Sequence, residues 1–407
     1  MTATAATDLP CWPPTPPRHG PFALLDPAER DRLDQPVARV RLPTGGTAWL
    51  VTRHADVREA LRHPGLSADA DRSGFPLLRP LPPRSGADRQ GGFIRMDGDE
   101  HIRLRRMLTA EFMIKNVRRI EPLIRRTVDE ALDDLAAAGP PADLVETFAL
   151  PVPSMVICHL LGVPYADHAF FQARSRTLLD RTAPPQRLRA DVDELRSYLR
   201  ELVVARQAAA DDSADLISRL VRDRVTTGQL TVDELVGMAL LLLIAGHETT
   251  ANMIGLSVLL LLRRPGGLDV LREHPDRAPD VVEELLRYLS VVRSGLPRLA
   301  VTDVEIGGRL IRAGEGVIAV LSLANRDPAV FDAADEFDPY QQAHQHLAFG
   351  FGVHQCIGQP LARAELRIAL VELARRFPGL RTTTTPQQAA TRDTSTVFGL
   401  DSLPVTW

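Results

Sequence analysis

Phe349-Gly350-Phe351-Gly352-Val353-His354-Gln355-Cys356-Ile357-Gly358 sets one cysteine in a glycine-rich turn, with a cationic side chain two residues before it. Gly350 and Gly352 allow the backbone to approach a flat ligand closely and to point amide hydrogens at the sulfur. Gly358 and Pro360 predict the entry to a helix running to about Phe377, since proline fits the first helical turn. A cysteine just before a helix N-terminus feels the positive end of the dipole, so its pKa is expected to fall toward the thiolate. Such a thiolate suits heme iron, where it pushes electron density onto the metal and favours O–O cleavage over reversible O2 binding. The commoner fate of a lone cysteine is a buried, inert thiol. The rest of the chain decides between the two.

The 407 residues allow two or three ordinary domains or one large one. With 44% hydrophobic and 25% charged residues, the composition is that of a globular protein. A net charge of −4 gives no drive toward nucleic acid or an anionic membrane. Cys11, Cys158 and Cys356 are odd in number and far apart, which excludes zinc or iron–sulfur spacings and a disulfide scaffold. A reducing cytoplasm fits them. Residues 1–20 carry no basic start followed by an apolar run, so no secretory signal is expected. Their prolines predict an extended arm ahead of a single domain over 21–407. The most apolar stretch, 238–262, is broken by Gly246-His247-Glu248-Thr249-Thr250, which suits a buried helix with a polar centre and no membrane anchor.

Helical patterns dominate: 55–62, 100–111, 118–138, 151–161, 167–180, 188–210, 215–224 and 279–288. The long one is predicted from Thr231, where Thr231-Val232-Asp233-Glu234 reads as a capping box, to about Arg264, ahead of Pro265-Gly266-Gly267. Strands are expected at 37–42 and 48–52 around Gly45-Gly46, at 304–306 and 310–312 around Gly307-Gly308, and at 317–321. The expectation is one large, mainly α domain with small β-sheets and a long central helix.

Within that helix, Ala245-Gly246 would leave room for a bound diatomic, while Thr249 and Glu248 could relay protons to it. A polar helix face touching solvent is the alternative. His247-Glu248 begins like a zinc-protease HExxH, but the second histidine would fall at Ala251, so zinc is unsupported. Glu284 and Arg287 share a helix face; read alone, they form a surface ion pair. His101 and Arg105 also face one way, and with Arg298 and His354 could bind two carboxylates. A solvated basic face is the alternative, and it fits Arg103 and Arg106.

Taken in order and spacing, these elements resemble the cytochrome P-450 family over most of the chain, from Trp49 to the C-terminus. The resemblance implies the cytochrome P-450 fold, heme b (iron protoporphyrin IX) and Cys356 as its axial metal ligand. It implies Glu248 and Thr249 as the acid–alcohol pair that delivers protons, and Glu284–Arg287 as a structural core pair. His101, Arg105, Arg298 and His354 match positions that bind the propionates. Ala245, Gly246, Phe349, Gly350 and Gly358 complete the expected cofactor contacts. The phrases Ala324-Asn325-Arg326-Asp327-Pro328 and Gln355 through Arg363 look like actinomycete members that act on secondary metabolites, steroids and xenobiotics.

The expected activity is insertion of one oxygen atom from O2 into a C–H or C=C bond of a hydrophobic molecule, such as a macrolide, a terpenoid or a steroid-like compound. The chain has no flavin, NAD or iron–sulfur fingerprint, so electrons are expected from a separate ferredoxin and ferredoxin reductase. Arg103, Arg106, Arg363 and Arg367 are the expected docking surface, and a monomer is expected. A peroxide-driven peroxygenase and a non-catalytic heme sensor are the alternatives; both have less use for Glu248–Thr249. One departure stands out. After Phe337-Asp338-Pro339 such relatives carry an arginine, where this chain has Tyr340-Gln341-Gln342, and His344 or Arg326 is the expected substitute brace. Expected pocket walls are 71–93, 167–208, 241–245, 292–296 and 397–400, with Arg72, Arg79, Arg84 and Arg89 as loop charges.

Overall fold

A computed structural model describes residues 9–14, 20–25, 35–82, 86, 90–209 and 213–407. Its major helices are α1 (His54–Arg62), α2 (Gly98–Thr109), α3 (Ile114–Ala138), α4 (Pro151–Leu161) and α5 (His168–Leu179). They continue with α6 (Pro185–Ala209), α7 (Val232–Leu262), α8 (Ala278–Leu289) and α9 (Gln359–Arg376). The helix expected over 215–224 is α-helical only at Leu216–Leu220 and then widens into a π turn at Val221–Val225.

The central helix α7 starts where its cap chemistry says it should. The Thr231 hydroxyl accepts from the Glu234 amide at 3.1 Å, and the Glu234 carboxylate accepts from the Thr231 amide at 2.8 Å. Its 31 residues span about 47 Å. Most of its circumference is apolar and packs against α4, α6, α8 and α9, as expected of a helix buried on all sides. By length and composition it could cross a membrane, but 67% of its most apolar window is buried inside the protein.

β1 (Val37–Arg41) and β2 (Thr47–Val51) form the expected hairpin. β2 then pairs in parallel with β8 (Gly316–Ala319), and the sheet runs β1-β2-β8-β5-β3. Its last two strands, β5 (Leu296–Ala300) and β3 (Leu66–Ser67), escape a reading based on hairpins, because both pair with distant partners. β6 (Val304–Ile306) and β7 (Arg309–Ile311) make the second hairpin, and β4 (Ala142–Asp143) pairs with β9 (Pro404–Val405).

Part of the N-terminal arm docks on this sheet. The Trp12 amide donates to the Arg41 carbonyl and the Arg41 amide to that of Pro10, each at 2.8 Å. The buried Trp12 indole donates to the Ser294 carbonyl at 2.9 Å. Residues 1–8 and 15–19 of that arm lie outside the described residues, as do Arg84 and Arg89.

Candidate active site

The turn ahead of α9 closes on itself to present the cysteine. The Cys356 amide donates to the Phe349 carbonyl, and the Gly350 amide to that of Leu347, each at 2.8 Å. Gly350 and Gly352 have φ of +71° and +75°, where a Cβ is strained. The reason for Gly352 differs from the expected one. A Cβ there would stand 2.8 Å from the Leu61 carbonyl, so this glycine seats the turn against the end of α1. The amides that bond the sulfur are those of Gly358 and Gln359.

Cys356 has open surface, and that surface faces an interior cavity shared with Phe349, Gly350 and Gly358. Ala245, Gly246, Thr249 and Thr250 of α7 line the same cavity. Enclosure pushes the Cys356 thiol up, while the Gly358 and Gln359 amides and the charges of Arg105 and Arg363 oppose it without prevailing. The expected lowering by the helix terminus is therefore outweighed, and a metal cation at the sulfur would reverse the balance. Cys158 is fully buried and pushed up to about 12 by burial, which makes it an inert thiol.

The four side chains expected to bind carboxylates gather together, with Arg105 and His354 on the cavity wall. Arg105 donates to the Gln355 carbonyl at 2.6 Å. The His101 and His354 rings lie 4.2 Å apart, and His354 Nε2 is 3.8 Å from an Asp97 oxygen. Arg298, on β5, is lowered to about 10 by burial, with Asp97 acting the other way. Burial, then the charges of His354 and Arg105, bring His101 down to about 4. Its Nε2 is buried without a partner. Asp97 is the one residue here that sequence reasoning missed. Burial raises its carboxyl, but the nearby His354 ring and the bonds from Ser67 and the Ala68 amide hold it well below the usual range. Two arginines beside a histidine pair, an orphaned ring nitrogen and a sulfur facing an apolar cavity fit a flat, anionic, metal-bearing cofactor.

On α7, the Thr249 hydroxyl donates to the Ala245 carbonyl at 2.8 Å and lines the cavity. Glu248 is buried and is not among the lining residues; its Oε2 accepts from Arg392 at 2.9 Å. Arg392 in turn reaches the exposed Asp401 at 3.2 Å. Gly246 borders the cavity, yet its missing Cβ faces α4: an added carbon would fall 2.8 Å from Ile157. Close packing of α7 on α4 thus requires this glycine, beyond the room for a diatomic that sequence suggested. No metal-holding group of His, Cys, Asp and Glu occurs among the described residues, so His247-Glu248 has no zinc partner there.

Glu284 and Arg287 are wholly buried, with Arg287 bonding both carboxylate oxygens at 2.6 and 2.7 Å. Its remaining N–H groups reach the carbonyls of Asn325, Ala334 and Glu336. The surface pair that a local reading favours is therefore a core pair. Glu284 also accepts from the Asp338 amide at 3.0 Å, fixing the chain just before the departure at residue 341. There Gln341 donates to the Asp332 carbonyl at 2.8 Å. His344 is exposed beside Asp280 and Arg326 bonds the Tyr288 carbonyl, so neither reaches the Cys356 turn. What does is Arg363, which pairs with Glu283 through two bonds and stacks over the Phe349 ring at 4.6 Å.

The basic docking surface is less free than its residue types suggest. Arg103 pairs with Glu100 and Glu234, Arg363 with Glu283, and Arg367 with Glu121. The cavity walls also differ. Phe93, Leu241, Val292 and Leu296 line it as expected, but nothing from 167–208 or 397–400 does; Ile157 and Phe112 take part instead. Arg79 donates to the carbonyls of Leu178 and Asp180, and Arg72 pairs with Asp69, so neither serves the cavity.

The model of the family Cytochrome P-450 matches residues 35–401. The chain belongs to the cytochrome P-450 family. It is 48% identical over 411 residues to cytochrome P-450-SU2 of Streptomyces griseolus, covering 100% of both chains. A vitamin D3 dihydroxylase of the same organism is 45% identical over 414 residues, covering 100% of both. Among solved structures, mycinamicin VIII C21 methyl hydroxylase of Micromonospora griseorubida, bound to mycinamicin VIII, superposes with a TM-score of 0.91. That match is 39% identical and covers 98% of this chain and 100% of the other. As a cytochrome P-450, this protein is a heme-dependent monooxygenase that hydroxylates hydrophobic small molecules.

Proposed function

We propose that Cys356 would supply the thiolate ligand to the iron of heme b and that His101, Arg105, Arg298 and His354 would hold its propionates. Ala245, Gly246, Phe349, Gly350 and Gly358 line the cavity and would contact the bound group. The observation that carries this reading is that Cys356 opens into the same apolar cavity as Thr249. When bound, the heme supplies O2 activation and the transfer of one oxygen atom to substrate. The protein's share is positional and protonic. Arg105 and the His101–His354 pair present donors to carboxylates. Phe93, Leu241, Val292 and Leu296 exclude water and accept apolar surface. Thr249 passes a proton into the cavity, and Glu248 resupplies it.

The apolar lining supports a large hydrophobic secondary metabolite as substrate, a macrolide or terpenoid, with steroid-like molecules next. The names of the similar hydroxylases point the same way. Electrons come from a ferredoxin and its ferredoxin reductase, docking near Arg106 and the rims of the Arg103, Arg363 and Arg367 ion pairs. One catalytic domain, 21–407, works as a cytoplasmic monomer; three free cysteines suit that compartment.

The test is Cys356→His. The wild type should give the red-shifted Soret band of a thiolate-ligated reduced CO complex, and the variant should lose it. Retention would place the ligand elsewhere. Substrate-dependent NADPH consumption with ferredoxin and reductase, and an oxygenated product, tests the monooxygenase reading against peroxide-driven turnover.

A further inference from the structure

His247 is fully buried in the middle of α7, beside Glu248, and the mechanism above leaves it without work. Its Nδ1 lies 2.6 Å from the Leu243 carbonyl. A carbonyl only accepts, so Nδ1 carries the hydrogen, and the neutral ring turns a lone pair outward at Nε2. That Nε2 is 3.7 Å from Glu248 Oε1. Both atoms are buried without a partner. The other carboxylate oxygen is taken by Arg392. A neutral imidazole nitrogen and a carboxylate oxygen are both acceptors, so facing each other in a dry interior they leave two polar groups unsatisfied. One proton between them, carried directly or through a bridging water, satisfies both.

We infer that His247 and Glu248 hold one proton between them and form the store from which the relay to Thr249 draws. This inference rests on the proposed relay and adds a positioning residue to it. Loaded, the pair is neutral beside the Arg392 cation. Delivery of the proton leaves a neutral imidazole and a carboxylate, whose new negative charge faces Arg392. Uptake of one proton from solvent restores the pair, and the exposed Asp401 on the far side of Arg392 marks the solvent end.

Burial, together with the charges of Arg176 and Arg392, lowers the His247 ring, while Glu248 and the Leu243 bond act the other way. The Phe171 ring closes the remaining side, edge to face with the imidazole at 5.6 Å. Burial so complete keeps bulk water from short-circuiting the pair.

His247→Gln keeps a polar side chain of similar reach but cannot store a proton; His247→Phe removes the polar group altogether. Both should retain heme, the red-shifted CO band and substrate binding. Both should divert electrons to peroxide, cutting coupled product about tenfold, at the low end of a proton-transfer contribution. They should also raise the solvent isotope effect and flatten the pH profile of coupling. Adding Glu248→Gln should make matters no worse, since the two groups act as one unit. Independently of turnover, the nitrogen shifts of labelled His247 should report an Nδ1–H ring whose Nε2 titration moves when Glu248 is replaced by Gln. If Glu248→Gln uncouples the enzyme but neither His247 variant does, the relay stands and the store is overturned. If none of the three uncouples it, the relay itself fails. A His247 shift indifferent to Glu248→Gln also overturns the store.

Discussion

Arg392 Nη1 lies 2.9 Å from Glu248 Oε2, tying the chain near its C-terminus to the middle of α7. Both residues are largely buried, at 11% and 1% side-chain exposure, so this pair bears on stability as well as on the proposed proton supply. Arg392→Leu strands a buried carboxylate and should cost about 3–5 kcal/mol, the range for breaking one side of a buried pair. Arg392→Lys should recover part of it. Urea unfolding of the heme-loaded protein measures both; an unchanged midpoint for Arg392→Leu would show that Glu248 is satisfied some other way.

Arg287→Ala should be more damaging. It leaves Glu284 buried without its cation and unbonds the carbonyls of Asn325, Ala334 and Glu336 together. A loss above about 4 kcal/mol and poor heme incorporation are expected. Heme content per chain and the unfolding midpoint check this.

Acid sensitivity should centre on Glu283. Burial raises its carboxyl, but hydrogen bonds and charge from Arg363 and His346 overcome burial and hold it at about 2. A folded value below the ordinary 4.5 means that this stabilisation is complete above pH 4.5 and is lost as pH falls toward 2. It amounts to on the order of 3 kcal/mol. Arg363→Gln should flatten stability against pH across that window. A slope equal to the wild type's would assign the acid response to other carboxylates.

Thr249→Ala should keep heme and substrate binding yet release reducing equivalents as peroxide. Unchanged coupling would remove Thr249 from the proton path.

Gly246→Ala should destabilise by about 1–3 kcal/mol, as overpacking does, because the new carbon meets Ile157 at 2.8 Å. Ile157→Ala in the same chain should relieve the clash, so the two changes should be non-additive when compared by thermal unfolding.

The parts legible in the sequence are those whose meaning is local. The Cys356 turn, the Thr231–Glu234 box and the Gly45-Gly46 hairpin each use neighbours within a few residues. The residues that sequence reasoning missed act across distance. Arg392 is 144 positions from the acid it holds, and no motif marks it. Asp97 stands at the N-cap of α2, but its carboxylate goes to Ser67, thirty residues back, and to Ala68. Arg363 and Arg367 look like free cations in sequence because their acids lie on other helices, and Arg103 adds the distant Glu234 to its local partner Glu100. The upward push on the Cys356 thiol is illegible for the same reason: the helix terminus is visible in sequence, and the enclosing walls are not.

The parallel pairing of β2 with β8 joins Ala48 to Gly316 and Val51 to Ala319. During synthesis the first hairpin must therefore wait, with one edge open, until most of the chain has left the ribosome. β5, which carries Arg298, can join only through β8, and Cys356 emerges later still. Loop closures this long make for slow folding. Completion of the proposed heme site is thus placed at the end of biogenesis: a chain stalled or cleaved before residue 316 lacks both the strand that pairs with β5 and Cys356 itself.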